Sequence, residues 1–169
     1  MNKTLLTASA IAAAALQFGC ANPSWRDHNG FRPRATVHFQ CKGSSDCGVP
    51  VYVGFDVKPH KCAVTVLLDE VQVGRGQHPN VIWALDRLDP NDGYYYQFDR
   101  VSGVSIDKND STLDFDNGHA EHNGQAFSWH SVNKQPVSLK YTVNVQYSMD
   151  PHGPWQNCTP LDPTIVNAG

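Results

Sequence analysis

The chain has 169 residues and a formal net charge of −3, with 40% hydrophobic and 17% charged residues, 13 glycines and 11 prolines. That length suits a single domain with a real core, and the slightly acidic balance with no basic patch argues against a nucleic-acid binder. Past the N-terminal apolar run no second hydrophobic stretch appears, so the mature chain is expected to have no transmembrane span.

The chain opens with Lys3, an alanine-rich apolar run from Leu5 to Leu16, and Gly19-Cys20-Ala21. This pattern reads as an export signal over residues 1–21, because the run is too short to span a bilayer and Asn22, Pro23, Trp25, Arg26 and Asp27 end it abruptly. Two processing routes fit. Cleavage after Ala21 would use the small residues Gly19 and Ala21 and discard Cys20. Alternatively, Cys20 is a lipidation site and becomes the first residue of a lipoprotein, although Gln17 and Phe18 stand where a lipobox favours aliphatic residues. The expected location is outside the cytoplasm, in the periplasm or anchored at the outer membrane and facing the surface. Residues 22–34 read as an extended N-terminal segment, and residues 35–169 as one β-sandwich domain.

Either route leaves Cys41, Cys47, Cys62 and Cys158. In an oxidising compartment four cysteines imply two disulfides, with three connectivities open. The turn-like segment between Cys41 and Cys47 suits local closure, which would leave Cys62 to join Cys158 across a long loop. Such a bridge contributes roughly 3–5 kcal/mol in the chain-entropy picture. Zinc ligation by these cysteines lacks the CxxC spacing.

Strand signals then follow in order. Ala35–Gln40 alternates, and Val49, Val51, Val53, Phe55 and Val57 share one face of the next run. Ala63–Leu68 is apolar and β-branched, and Val71–Val73 continues after a bend at Asp69-Glu70. Val81–Leu85, Tyr94–Phe98, Val101–Ile106 and Ala126–Trp129 are further short strands, and Trp83–Leu88 alone could make a helical turn. In Val137–Tyr147, residues Val137, Leu139, Tyr141, Val143, Val145 and Tyr147 point one way, the signature of a half-buried antiparallel strand. Turns are marked by Asp89-Pro-Asn-Asp-Gly93, Asp116-Asn-Gly118, Asn123-Gly124 and Asp150-Pro-His-Gly153. The tail after Cys158 is broken by prolines and reads as an irregular edge segment. The expected fold is all-β, an antiparallel immunoglobulin-like sandwich of about seven to nine short strands. A closed barrel is the alternative.

Val81-Ile-Trp-Ala-Leu85, Tyr96-Gln-Phe98, Phe127-Ser-Trp129, Lys140-Tyr-Thr-Val143 and Leu161-Asp-Pro-Thr-Ile-Val-Asn167 occur in that order. With these motifs the chain resembles a group of small exported bacterial β-sandwich proteins of no known activity. The resemblance covers most of Val81 to Asn167 and rests on strand aromatics and a closing Asp-Pro tail. It implies a bacterial source and an all-β fold, and it assigns no functional residue.

Two segments could carry function. The stretch from Asp107 to His130 concentrates acids and histidines, and Asp114, Asp116, His119, His122 and His130 could hold zinc or copper. Read plainly, the same residues make a solvated loop that discourages edge-to-edge strand pairing. Asp114 and Asp116 would share a strand face, and with Gly118 they form part of a calcium loop without its terminal glutamate, as does Asp107-x-Asn109. Met149, His152 and Cys158 come in the wrong order for a blue-copper site. Tyr94, Tyr95, Tyr96 and Trp155 are the second candidate, an aromatic surface that could stack a sugar or anchor a protein, whereas Trp83, Trp129 and Tyr141 read as core.

No nucleophile motif or phosphate-binding glycine loop is present, and Gly74-Arg-Gly76 is a turn. The expectation is a non-enzymatic exported protein acting in binding or structural interaction, with an unidentified protein or glycan as its partner. It needs no cofactor, and metal binding is the alternative. A hydrolase assembled from residues distant in sequence is a third reading.

Overall fold

Alternation decides the centre of the molecule. Val49, Val51 and Val53 lie on one face of β2 (Cys47–Asp56) and all three are fully buried. A computed structural model describes residues 38–41, 46–56, 60–66, 70–107 and 114–168. Around β2 it places β1 (His38–Cys41), β3 (Lys61–Val66), β4 (Glu70–Val73), β5 (Asn80–Arg87), β6 (Tyr95–Phe98) and β7 (Val104–Ile106). Then come β8 (Phe115–Glu121), a 3-10 turn at His122–Gly124, β9 (Ala126–Ser131), β10 (Pro136–Val143), β11 (Val145–Ser148), β12 (Gln156–Asn157) and β13 (Thr164–Ala168). The protein is all-β. The expected export signal over residues 1–21, residues 22–34 and the candidate lipidation site Cys20 lie outside the described residues.

One five-stranded sheet runs β3-β2-β5-β9-β8 and another runs β1-β4-β13-β10-β7, with a three-stranded sheet β12-β11-β6 continuing from the second. Most pairs are antiparallel. The sheets are nonetheless mixed, because β2 pairs β5 in parallel and β4 lies parallel to both β1 and β13. The parallel pairs follow from connectivity: β3 and β4 intervene before the chain returns beside β2, and a crossover of that length permits a parallel return.

Several boundaries differ from the sequence expectation. Trp83–Leu88 forms no helical turn; Val81 and Trp83 are buried and β5 pairs with strands on both sides. Val101 is 89% exposed in a turn before β7. The expected single strand Val137–Tyr147 is interrupted at Asn144, whose backbone N–H donates to Gly103 O at 2.8 Å and whose side-chain amide donates to Ser102 O at 2.7 Å. Here the run exchanges one partner, β7, for another, β6, while Val143 and Val145 stay buried on the expected face. The tail is not an edge: β13 sits between β4 and β10 with Ile165 fully buried. Pro160 and Pro163 precede β13, so neither removes a hydrogen-bond donor from its ladder.

The two five-stranded sheets share one core. Trp83 of β5 meets Tyr141 of β10 at 5.3 Å between ring centres, and Phe98 of β6 meets Phe127 of β9 edge-on at 6.2 Å. All four are fully buried, and each contributes on the order of 1.5–3 kcal/mol or more by leaving water. Cys41 bonds Cys47, with Cα atoms 5.5 Å apart. Cys62 bonds Cys158 across 96 residues and ties β3 to the segment after β12.

Candidate functional site

From Phe115 onward the acid- and histidine-rich segment is an edge hairpin rather than a loop. Strands β8 and β9 pair with a register shift between Asp116 and His119, where Asn117 adopts φ of 57°. Asp116 lies directly across from His130, and His130 Nδ1 is 2.9 Å from Asp116 Oδ1. His119 faces Ser128 instead. Its Nδ1 donates to Asn117 O at 2.7 Å, because a carbonyl can only accept, and its Nε2 then lies 3.5 Å from Glu121 Oε1. His122 Nε2 is 3.8 Å from the other Glu121 oxygen.

Asp114 does not share a face with Asp116. It precedes β8 and is fully buried, whereas Asp116 is exposed. Asp114 Oδ1 accepts the backbone N–H groups of Lys134 at 2.9 Å and Gln135 at 3.3 Å, and its carbonyl accepts those of Val132 and Asn133. A carboxylate used in this way holds a turn. The five proposed metal ligands thus fall into three places: Asp116 with His130, His119 and His122 around Glu121, and Asp114 alone. Among the described residues no group of three or more His, Cys, Asp or Glu side chains is arranged to hold a metal ion. Asn109, in the partial calcium pattern, lies outside the described residues.

The tyrosine run divides by strand parity. Tyr95 is 42% exposed, and the Arg87 guanidinium lies 5.8 Å from its ring centre and 5.7 Å from that of Tyr96. Tyr96 is buried and its hydroxyl donates to Asp92 Oδ2. Burial first, and then the bond to Asp92 and its charge, push the Tyr96 phenol well above its ordinary pKa. Tyr94 turns the other way from Tyr95 and joins residues that the tyrosine pattern did not include. Its ring stacks on Phe55 at 4.3 Å and meets Tyr147 edge-on at 5.8 Å, and Phe55 lies 5.3 Å from Tyr147.

These three rings line a groove of about 290 Å³ together with Met149 and Pro154, and with Ser148, Asp150 and Gln156 as its polar lining. Phe55 comes from the end of β2, Tyr147 from β11, and Tyr94 from just before β6. Met149 is 74% exposed. The Tyr147 hydroxyl donates to Gln156 Oε1 at 2.8 Å, which joins the groove to β12. Trp155 is half-buried and packs over Gly153, where a Cβ would lie 3.1 Å from its Cδ1, and it does not line the groove.

The groove did have a sequence signal. Phe55 and Tyr147 each stand near the end of an alternating run, on its buried face. Aromatics carried past the fully buried part of such a run arrive at the rim of the core. Their meeting with Tyr94 depends on sheet pairing, which alternation alone does not specify.

No protein-family model matches the chain, and a search of characterised proteins finds no significant match. No helix among the described residues is long and apolar enough to cross a membrane.

Proposed function

We propose that this is an exported, non-enzymatic binding protein with an immunoglobulin-like sandwich fold, and that the groove of Phe55, Tyr94 and Tyr147 holds its ligand. The N-terminal signal pattern supports export, to the periplasm or the outer membrane. The two disulfides suit an oxidising compartment. The sandwich reading draws support from the core shared by the two five-stranded sheets, with Trp83 and Tyr141 in contact between them.

One observation carries the binding reading. Three aromatic rings from separate elements converge on a half-buried groove beside a strongly exposed methionine. Aromatic side chains offer large contact area at low entropic cost, and concave sites with a few polar groups are where ligands gather. The expected partner remains a protein or a glycan. The test is a titration of the mature, oxidised protein with a panel of short peptides and neutral disaccharides, followed by aromatic-ring NMR shifts. Shifts at Phe55, Tyr94 and Tyr147, lost in Tyr94→Leu but kept in Tyr95→Leu, support the groove. Shifts centred on Tyr95 or Trp155 with a silent groove overturn it.

A further inference from the structure

The groove is apolar inside, and two of the connections beside it carry negative charge. Residues 88–94 lead from β5 to β6 and place Tyr94. They contain Asp89 and Asp92 and no lysine or arginine. Residues 149–155 lead from β11 to β12 and supply Met149, Asp150 and Pro154 to the lining. They contain Asp150 and His152 and likewise no lysine or arginine.

Arg87, at the start of the first of these connections, is already engaged. Arg87 lies over the rings of Tyr95 and Tyr96, and it donates to Pro90 O at 3.4 Å. Lys61 stands across the β2–β3 pair from Asp56. His60 lies 6.4 Å from the Phe55 ring, on the hairpin side of the aromatic cluster. Asp150 lines the groove and its Oδ1 accepts the His152 N–H at 2.8 Å, but it takes part in no ion pair among the described residues.

We infer that the groove receives an arginine side chain from an extended segment of a partner protein. This inference rests on the binding reading above and adds the chemistry of the ligand. A planar guanidinium lies well on aromatic faces and carries its methylene stem through an apolar slot. The negative ring faces of Phe55, Tyr94 and Tyr147 attract a cation, and Asp150 can accept its N–H groups. The molecule itself shows the same preference elsewhere, where Arg87 lies over the rings of Tyr95 and Tyr96. An anionic ligand would meet three aspartates on the two bordering connections.

The test uses three blocked peptides added to the mature, oxidised protein: acetyl-Gly-Arg-Gly-amide, its citrulline analogue and its phenylalanine analogue. Aromatic-ring and backbone NMR shifts report the site. The arginine peptide is expected to shift Tyr94, Tyr147 and Met149, and its affinity should fall as salt is raised from 20 to 300 mM. Asp150→Asn keeps the His152 contact and should weaken the arginine peptide by roughly 3- to 10-fold while leaving the phenylalanine peptide unaffected. Tyr94→Leu should weaken it by roughly 3- to 30-fold. Asp116→Asn, on the distant β8 edge, is the control and should change nothing. Equal binding of the arginine and citrulline peptides overturns the inference and leaves the groove as a binding site. Binding of the phenylalanine peptide alone does the same. Silence of the groove towards all three peptides overturns the inference as well.

Discussion

The indole of Trp129 lies against the backbone of Gly118 so closely that a Cβ at position 118 would come within 2.4 Å of its Cε2 and Cζ2 atoms. The contact crosses the β8–β9 pair at the register shift, and Trp129 Nε1 donates to Val104 O at 2.8 Å from the far side. Trp129 therefore links the edge hairpin to β7 in the other five-stranded sheet, and Gly118 is the residue that lets it lie there.

Gly118→Ala should destabilise the fold by about 1–3 kcal/mol, because the added methyl would clash with an indole that its bond to Val104 O holds in place. Urea unfolding followed by tryptophan fluorescence measures this. A change within 0.5 kcal/mol would mean that the ring swings away freely and that the hairpin is not anchored through it.

The bond between Cys62 and Cys158 closes a far longer loop than that between Cys41 and Cys47, with separations of 96 and 6 residues. Loop-closure entropy makes the longer bridge the more stabilising. Cys62→Ala with Cys158→Ala should cost about 3–5 kcal/mol, and Cys41→Ala with Cys47→Ala distinctly less. Thermal unfolding of the two double variants settles the order, and an equal fall in Tm would refute it.

Tyr96 and Asp99 each add a pH dependence to the stability of the fold. The Tyr96 phenol is held above its ordinary value by burial and by Asp92. The neutral form is thus favoured in the folded state. The stability it contributes is intact below the unfolded phenol value of about 10 and declines as the pH climbs past it. The Asp99 carboxyl is lowered, chiefly by the Ser102 backbone N–H, with its own burial opposing and the Ser102 hydroxyl and Val101 N–H assisting. Its contribution is present above the unfolded carboxyl value of about 3.9 and is lost as the pH falls through the lowered folded value. Ultraviolet titration of phenolate should show Tyr96 ionising only as the protein unfolds at alkaline pH. Ionisation of every tyrosine near pH 10 in the folded protein would contradict the buried pairing with Asp92.

Zinc should treat the histidines as separate sites. His119 and His122 both face Glu121, whereas His130 is held by Asp116. Imidazole NMR shifts during a zinc titration should move His119 and His122 together and His130 independently, with weak affinity throughout. Tight one-to-one binding that moves all three, and that disappears in His119→Ala with His130→Ala, would restore the metal reading.

Composition, alternation and cysteine number were enough to read an all-β protein with two disulfides and a valine-rich core. Period-two patterning over Val49–Val53 and Val137–Tyr147 identifies buried faces without knowledge of the partner strands. The same local signals could not place β13, because proline residues nearby mark where a strand cannot be and say nothing of a gap between β4 and β10 that a short segment can fill. They also grouped Asp114 with Asp116, since closeness in sequence does not show that one carboxylate is buried under a turn while the other faces water. The groove shows the same division. The chain alone determined that Phe55 and Tyr147 face inward at the ends of their strands. Only the tertiary structure brought them to Tyr94, because long-range strand pairing sets which ends meet, and that pairing depends on contacts between residues far apart in sequence.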